Sequence, residues 1–292
     1  MLTISELLNT RTLHALPRRD REVLFAYVLR KPREWILTHP EATVRTTMAA
    51  RYRRLLRRLE RGEPLPYLLG EHWFYGRPFT VNRHVLIPRP ETELMVELAI
   101  ERIKNYESRI METSTIVDVG TGSGCIAVTL AAELPHTNVV AIDSSPTALR
   151  IARANARRHG VENLITFLQG NLLEPILQSP SFMIHHSLFT VCANLPYLTT
   201  DEWRALPRSL RQYEPRAAFD GGPDGLRPFR KLFAQIRSIP IIHHSLFMIL
   251  ETDPRRKRAL TPLIRKTLPG WKASWHRDLA GRWRVLVLSS KP

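Results

Sequence analysis

A β-branched run, STIVDV (114–119), leads into the glycine turn Gly120-Thr121-Gly122-Ser123-Gly124, the apolar helix CIAVTLAAEL and a second strand, NVVAID (138–143), that stops on Asp143. Few folds accommodate strand, turn, helix and strand at this spacing. The pattern continues downstream. Ser145 caps a helix with Pro146 at its first position and Gly160 at its far end, the usual asymmetry of start and stop residues. LITFLQ (164–169), SLFTVCAN (187–194), SLFMILE (245–251) and RWRVLVL (282–288) read as further strands. Such alternation predicts a parallel-type α/β sheet with helices on both faces.

Upstream the texture differs. SELLNTRTLHAL, DREVLFAYVLR and TTMAARYRRLLRRLERG carry apolar residues at i, i+3, i+4 spacing, with Asp20 and Gly62 as helix-end residues. Residues 1–72 are expected to form a helical N-terminal domain. Residues 73–90, with turn chemistry at Gly76-Arg77-Pro78 and Asn82-Arg83, form a β-hairpin linker, and 91–292 form the α/β domain. A length of 292 residues suits two domains.

Composition excludes some classes of function. No apolar run approaches the roughly 18 residues of a membrane span. The start, MLTISELLNTRTLHALPRRD, lacks the basic, apolar and small-residue regions of a secretion signal. Cys125 and Cys192 each sit in an apolar segment, as buried hydrophobes do, rather than as a disulfide or a metal pair. A cytoplasmic protein is expected. The net charge of +16 attracts acidic partners, whether nucleic acid, an acidic protein or a ribonucleoprotein surface. In RYRRLLRRLERG, Tyr52, Leu55, Leu56 and Leu59 take one helix face, leaving Arg53, Arg54, Arg57, Arg58 and Arg61 as either a solvated face or a docking surface. The hexapeptide IHHSLF occurs at 184–189 and 242–247; its histidines lack carboxylates or cysteines at ligand spacing, and the duplication has no physical explanation.

In open α/β sheets, ligands sit at the carboxyl ends of the strands. Three features converge there. Glycines at the first turn let a ligand approach the backbone, where helix N–H groups face an anion. Asp143 is placed to accept both ribose hydroxyls, so an adenosine-type ligand is expected. A dinucleotide fingerprint would need glycine at 125, where Cys125 stands, and G-K-[ST] is absent. The G-x-G-x-G turn with its acid suits S-adenosyl-L-methionine, which has no pyrophosphate. Asn171 either accepts from the adenine amino group or is a plain loop residue.

The third feature is Asn194-Leu195-Pro196-Tyr197, ending the fourth strand. A planar NH₂ acceptor is a poor nucleophile because its lone pair is delocalised. Two oxygens aimed at its hydrogens would orient it and favour positive charge growing on the nitrogen. The Asn194 side chain and the Leu195 carbonyl can supply them. Pro196 fixes the backbone, and Tyr197 offers a ring face for the planar group.

These residues carry a resemblance. Asn194-Leu195-Pro196-Tyr197 resembles the [DN]-P-P-[YF] motif of amino-group methyltransferases. The run GEPLPYLLGEHWFYGRPFTVNRHVLIPRPETELMVE, most specifically I-P-R-P-E-T-E (87–93), and YEPRAAFDGGPDGL (213–226) are similar to the peptide chain release factor N5-glutamine methyltransferase family. The similarity covers nearly all of 60–292 and is weaker in the N-terminal helices, where that family also has a helical substrate-binding domain. It implies a Rossmann-like class I S-adenosyl-L-methionine-dependent methyltransferase that acts on the glutamine of the Gly-Gly-Gln loop of bacterial class 1 release factors. S-adenosyl-L-homocysteine would be the product. A monomer is expected, without membrane association or stable nucleic-acid binding. By the resemblance, cofactor contacts fall on Gly120, Thr121, Gly122, Ser123, Gly124, Asp143, Asn171, Leu172 and Asn194, and glutamine contacts on Asn194 to Tyr197. The chain departs from the family at Leu195 (usually proline, so the turn is expected to be looser), at Asn171 (usually aspartate) and at Phe189 (often an acid). N-L-P-Y also resembles rRNA adenine dimethyltransferases, though that likeness ends at the tetrapeptide. A ribosomal-protein glutamine methyltransferase would share the chemistry, and a basic RNA-binding module would be the non-enzymatic alternative.

Overall fold

The computed structural model describes residues 2–9, 16–110, 114–179, 188–239 and 245–290. The chain divides into two compact units, residues 1–71 with 207–213, and residues 72–206 with 214–292.

The first unit contains β1 (Leu2–Thr3), α1 (Ile4–Leu8), α2 (Arg18–Leu29), α3 (Arg33–Thr38), β2 (Thr43–Val44), α4 (Thr46–Glu60) and α5 (Leu65–Leu69), joined by α11 (Arg208–Tyr213) from much later in the chain. β1 and β2 pair antiparallel. The predicted periodicity is realised in α2 and α4. Leu24, Phe25 and Val28 meet Tyr52, Leu55, Leu56 and Leu59, with the Phe25 and Tyr52 rings 4.4 Å apart. Asp20 stands in the first turn of α2, whose N-cap is Pro17, and of the first predicted helix, residues 10–15 lie outside the described residues. α3 and α5 are too short to have shown a period.

The second unit opens with a hairpin, β3 (Glu71–Phe74) and β4 (Arg77–Thr80). Its two-residue turn is Tyr75-Gly76, with φ of 49° and 70°, the left-handed pair that matches strand twist. Then follow α6 (Glu93–Ile110), β5 (Ser114–Val119), α7 (Cys125–Glu133), β6 (Asn138–Asp143), α8 (Pro146–Arg158), β7 (Ile165–Gln169), α9 (Glu174–Leu177), β8 (Leu188–Asn194), α10 (Thr200–Ala205), α12 (Arg227–Arg237), β9 (Ser245–Glu251), α13 (Lys257–Thr267), β10 (Lys272–Arg277) and β11 (Trp283–Ser289). The sheet order is β10-β11-β9-β8-β5-β6-β7.

The expected parallel sheet is confirmed with one correction. β11 pairs antiparallel with both β9 and β10, so it runs against the other six strands. β10 escaped notice because its residues, Lys272 to Arg277, are mostly exposed and carry no apolar run. Along each inner strand alternate residues feed two cores. Ile116, Val139, Ala141 and Cys192 face the layer of α6, α7 and α8, whereas Val117, Val140, Ile142 and Val191 face α12 and α13. α12 presents Phe229, Leu232, Phe233 and Ile236 at helical spacing, and each such burial contributes about 2 kcal/mol. Cys125 and Cys192 are buried free thiols. Of the repeated hexapeptide, residues 184–187 and 242–244 lie outside the described residues. No described helix is long and apolar enough to cross a membrane.

Candidate active site

Strand order reverses between β5 and β8, and a cavity of about 790 Å³ opens there at the carboxyl ends of the strands. That volume suits a nucleoside-sized ligand. Gly120, Thr121, Gly122 and Ser123 line one wall with Asp143, Asn171 and Leu172 line another, and Asn194, Leu195 and Pro196 line a third.

The glycine turn is anchored from beneath. The Gly120 and Thr121 N–H groups donate to the Ile142 carbonyl at 2.8 and 2.9 Å. The Gly122 N–H donates to Asp143 Oδ2 at 2.9 Å, and Ser145 N–H to Oδ1 at 2.8 Å. Burial raises the Asp143 pKa from the ordinary carboxylate value, against the pull of these backbone donors. Asp118, fully buried at the end of β5, accepts from Thr121 Oγ1 at 2.7 Å and from Ala127 N–H at 3.2 Å. Desolvation pushes its pKa up to about 7, and its Oδ1 has no partner among the described residues.

Two expected contacts are placed elsewhere. Gly124 stands behind the wall as the N-cap of α7 with φ of 81°, and a Cβ there would lie 3.0 Å from Ala152 Cα. Its lack of a side chain serves helix packing. The Tyr197 ring packs into the core beneath α12, and its hydroxyl donates to Glu251 Oε1 at 3.4 Å instead of offering a face to the cavity.

The Asn194 corner is held more firmly than its missing proline suggested. Leu195 is 2% exposed, buried with Leu226 and Phe229 in one core cluster. The Leu198 N–H donates to the Phe219 carbonyl and the Gly221 N–H to the Leu198 carbonyl. A Cβ on Gly221 would lie 2.5 Å from the Pro196 oxygen. The glycines of GGPDG therefore let a second backbone press against the corner.

Sequence reasoning missed Thr92, Glu251 and Gln235. Asn194 Nδ2 donates to Glu251 Oε2 at 3.0 Å and to Thr92 Oγ1 at 3.2 Å, while Thr92 Oγ1 donates to Glu251 Oε2 at 2.6 Å. Glu251 ends β9 in register with Asn194 and is 2% exposed; burial raises its pKa. Gln235 accepts from Leu173 N–H at 3.0 Å and donates to the Asn171 carbonyl at 3.2 Å, fixing the loop where Leu172 adopts φ of 59°. A polar residue closing an apolar strand was the available signal for Glu251, since Asp143 and Asn194 share it. Arg89 donates to Glu214 at 2.6 Å, joining the I-P-R-P-E-T-E and YEPRAAF segments.

Sheet order, glycine turn and switch-point cavity together define a Rossmann-like class I methyltransferase. The fold likeness extends to the N-terminal domain of human METTL16 in complex with SAH, with TM-score 0.52 and 15% identity, covering 91% of this chain and 92% of that one. Another structure of that domain gives TM-score 0.51 at 16% identity, covering 97% and 96%. A profile described as methyltransferase domain matches residues 116–213, and one described as PrmC N-terminal domain matches 4–70. Release factor glutamine methyltransferases are similar over most of the chain. That of Nitratidesulfovibrio vulgaris is 38% identical, covering 80% of this chain and 75% of its own; that of Rhodopirellula baltica is 34% identical, covering 93% and 89%. The Bacillus subtilis enzyme is 33% identical over 91% and 88%. The chain belongs to the release factor glutamine methyltransferase family.

Proposed function

We propose that this enzyme moves a methyl group from S-adenosyl-L-methionine to the side-chain amide nitrogen of the Gly-Gly-Gln glutamine in class 1 release factors, acting in the cytoplasm as a monomer. One observation carries the reading. Asn194 lines the cavity, both hydrogens of its amide are spent on Glu251 and Thr92, and its oxygen accepts no hydrogen bond among the described residues.

The donor set fits the cofactor. Asp143, the 120–123 turn and the Asn171–Leu172 loop line one cavity; Asp143 would offer its remaining lone pairs to ribose hydroxyls, the turn would allow close backbone approach, and the loop would meet the adenine. Bound there, S-adenosyl-L-methionine supplies an electrophilic methyl group on a sulfonium. Asn194 Oδ1 and the Leu195 carbonyl accept from the two hydrogens of the incoming amide, which fixes its plane and stabilises positive charge as it grows on nitrogen. The extra proton leaves that nitrogen afterwards, so no general base is needed beforehand. Tyr197 and Pro196 hold the corner.

Purified protein, labelled cofactor and a release factor should give one added methyl on the loop glutamine, located by peptide mass spectrometry. Label on rRNA, or on a ribosomal protein in preference to the release factor, would overturn the assignment.

A further inference from the structure

We infer that Glu251 is a positioning residue for this reaction, setting the orientation of the Asn194 amide through a three-residue clamp with Thr92. The inference rests on the reading of Asn194 given above. An asparagine amide can turn over about its last torsion, exchanging its oxygen and nitrogen at little intrinsic cost. Only one of the two orientations presents an acceptor to a substrate NH₂ group.

The neighbours choose that orientation. Nδ2 has two hydrogens, and two acceptors meet them, Glu251 Oε2 at 3.0 Å and Thr92 Oγ1 at 3.2 Å. The Thr92 hydroxyl donates its single hydrogen to Glu251 and so can only accept from Asn194. Turning the amide over would set its oxygen against an oxygen of the Glu251 side chain, and would leave the buried Glu251 short of a donor. The clamp thus spends the nitrogen inward and leaves the oxygen for the cavity. Glu251 touches no substrate; it acts through Asn194.

The measurement is turnover and cofactor affinity for Glu251→Gln, Thr92→Val and Thr92→Ser, with Asn194→Ala alone and combined with Glu251→Gln. Glutamine at 251, with its NH₂ group set towards Asn194, accepts from neither amide hydrogen and bonds instead to the oxygen of a turned-over amide, so the productive orientation becomes the minority and kcat should fall about 10- to 10²-fold. The cofactor Kd should stay within about 3-fold. Thr92→Val should lose about 10-fold, and Thr92→Ser, which keeps the hydroxyl, should recover most of it. Adding Asn194→Ala to Glu251→Gln should cost little more than Asn194→Ala alone, because both act through one group. In ¹⁵N spectra of the unliganded protein, the Asn194 side-chain amide protons should be protected from exchange in the wild type and lose that protection in Glu251→Gln. Wild-type turnover in Glu251→Gln, or losses that simply add, would overturn the inference. Should Glu251→Gln fail to fold, equal activity of Thr92→Val and Thr92→Ser would overturn it instead. A wild-type protein that methylates no glutamine would defeat the proposed function, a distinct failure, and the exchange measurement would still judge the clamp.

Discussion

Gly225 runs so close beneath Tyr197 that a Cβ on it would lie 2.3 Å from the Tyr197 carbonyl oxygen. With φ of 72°, Gly225 also occupies backbone space that a side chain resists. The Asn194–Tyr197 corner therefore takes its position from a loop some thirty residues further along, and substitutions there should act at a distance. Gly225→Ala should destabilise the fold by roughly 1–3 kcal/mol and lower kcat more than 10-fold, as the corner shifts. Gly160→Ala, with φ of 70° but open space around the new Cβ, is the control, and should cost about 1 kcal/mol with turnover unchanged. Thermal melts and steady-state kinetics on both variants test this. Equal kinetic losses would mean the close approach carries no catalytic consequence.

Asn194→Ala removes the side-chain oxygen that the proposed mechanism offers to the substrate amide. Turnover should drop by about 10² or more, while the cofactor dissociation constant changes only a few-fold, as titration calorimetry can measure. Comparable losses in both would make the residue a shaper of the pocket alone.

Beside its proposed ribose role, Asp143 accepts from the Gly122 and Ser145 N–H groups. Asp143→Ala should raise the cofactor dissociation constant about 10-fold or more and lower the melting temperature of the unliganded protein, because two backbone donors lose their acceptor. An unchanged dissociation constant would contradict the ribose role.

Asp118 makes stability depend on pH. Its pKa, 3.8 ordinarily, is pushed up to about 7 in the fold, so between those values the native state holds a proton that the unfolded chain has released. Its contribution to stability is complete below about pH 4 and is lost as pH rises through about 7. Asp118→Asn cannot titrate and keeps an oxygen for Thr121 and Ala127. Denaturant melts across pH 4 to 8 should show the variant gaining on the wild type by on the order of a few kcal/mol. A pH-independent difference would refute the shift.

On α4 and at its C-cap, Arg58 is held by Glu63 at 2.7 and 2.6 Å, whereas Arg53, Arg54, Arg57 and Arg61 are exposed without an acidic partner among the described residues. If they steer an acidic protein, reversing those four to glutamate should slow association about 10-fold at low salt and flatten its salt dependence. Unaltered rates would leave them a solvated face.

Periodicity and turn chemistry made the architecture readable in advance, because each inner strand and each two-faced helix advertises its burial through local spacing. β5, β6 and β8, the Ser145 cap and the glycine turn are of that kind. So was the candidate site, since its walls stand where successive strands end. Elements that announce no apolar face, such as β10 and the short α3 and α5, were silent, and the reversal of β11 is a pairing choice that no single segment encodes.

What sequence could not supply was the company each side chain keeps. Thr92, Asn194 and Glu251 lie far apart along the chain, and their three hydrogen bonds exist only because β8 and β9 pair in register while the segment before α6 crosses their ends. Local pattern determines which residues are buried. Which oxygen of a buried network is left over for a substrate is a count of donors and acceptors, and that count closes only in three dimensions.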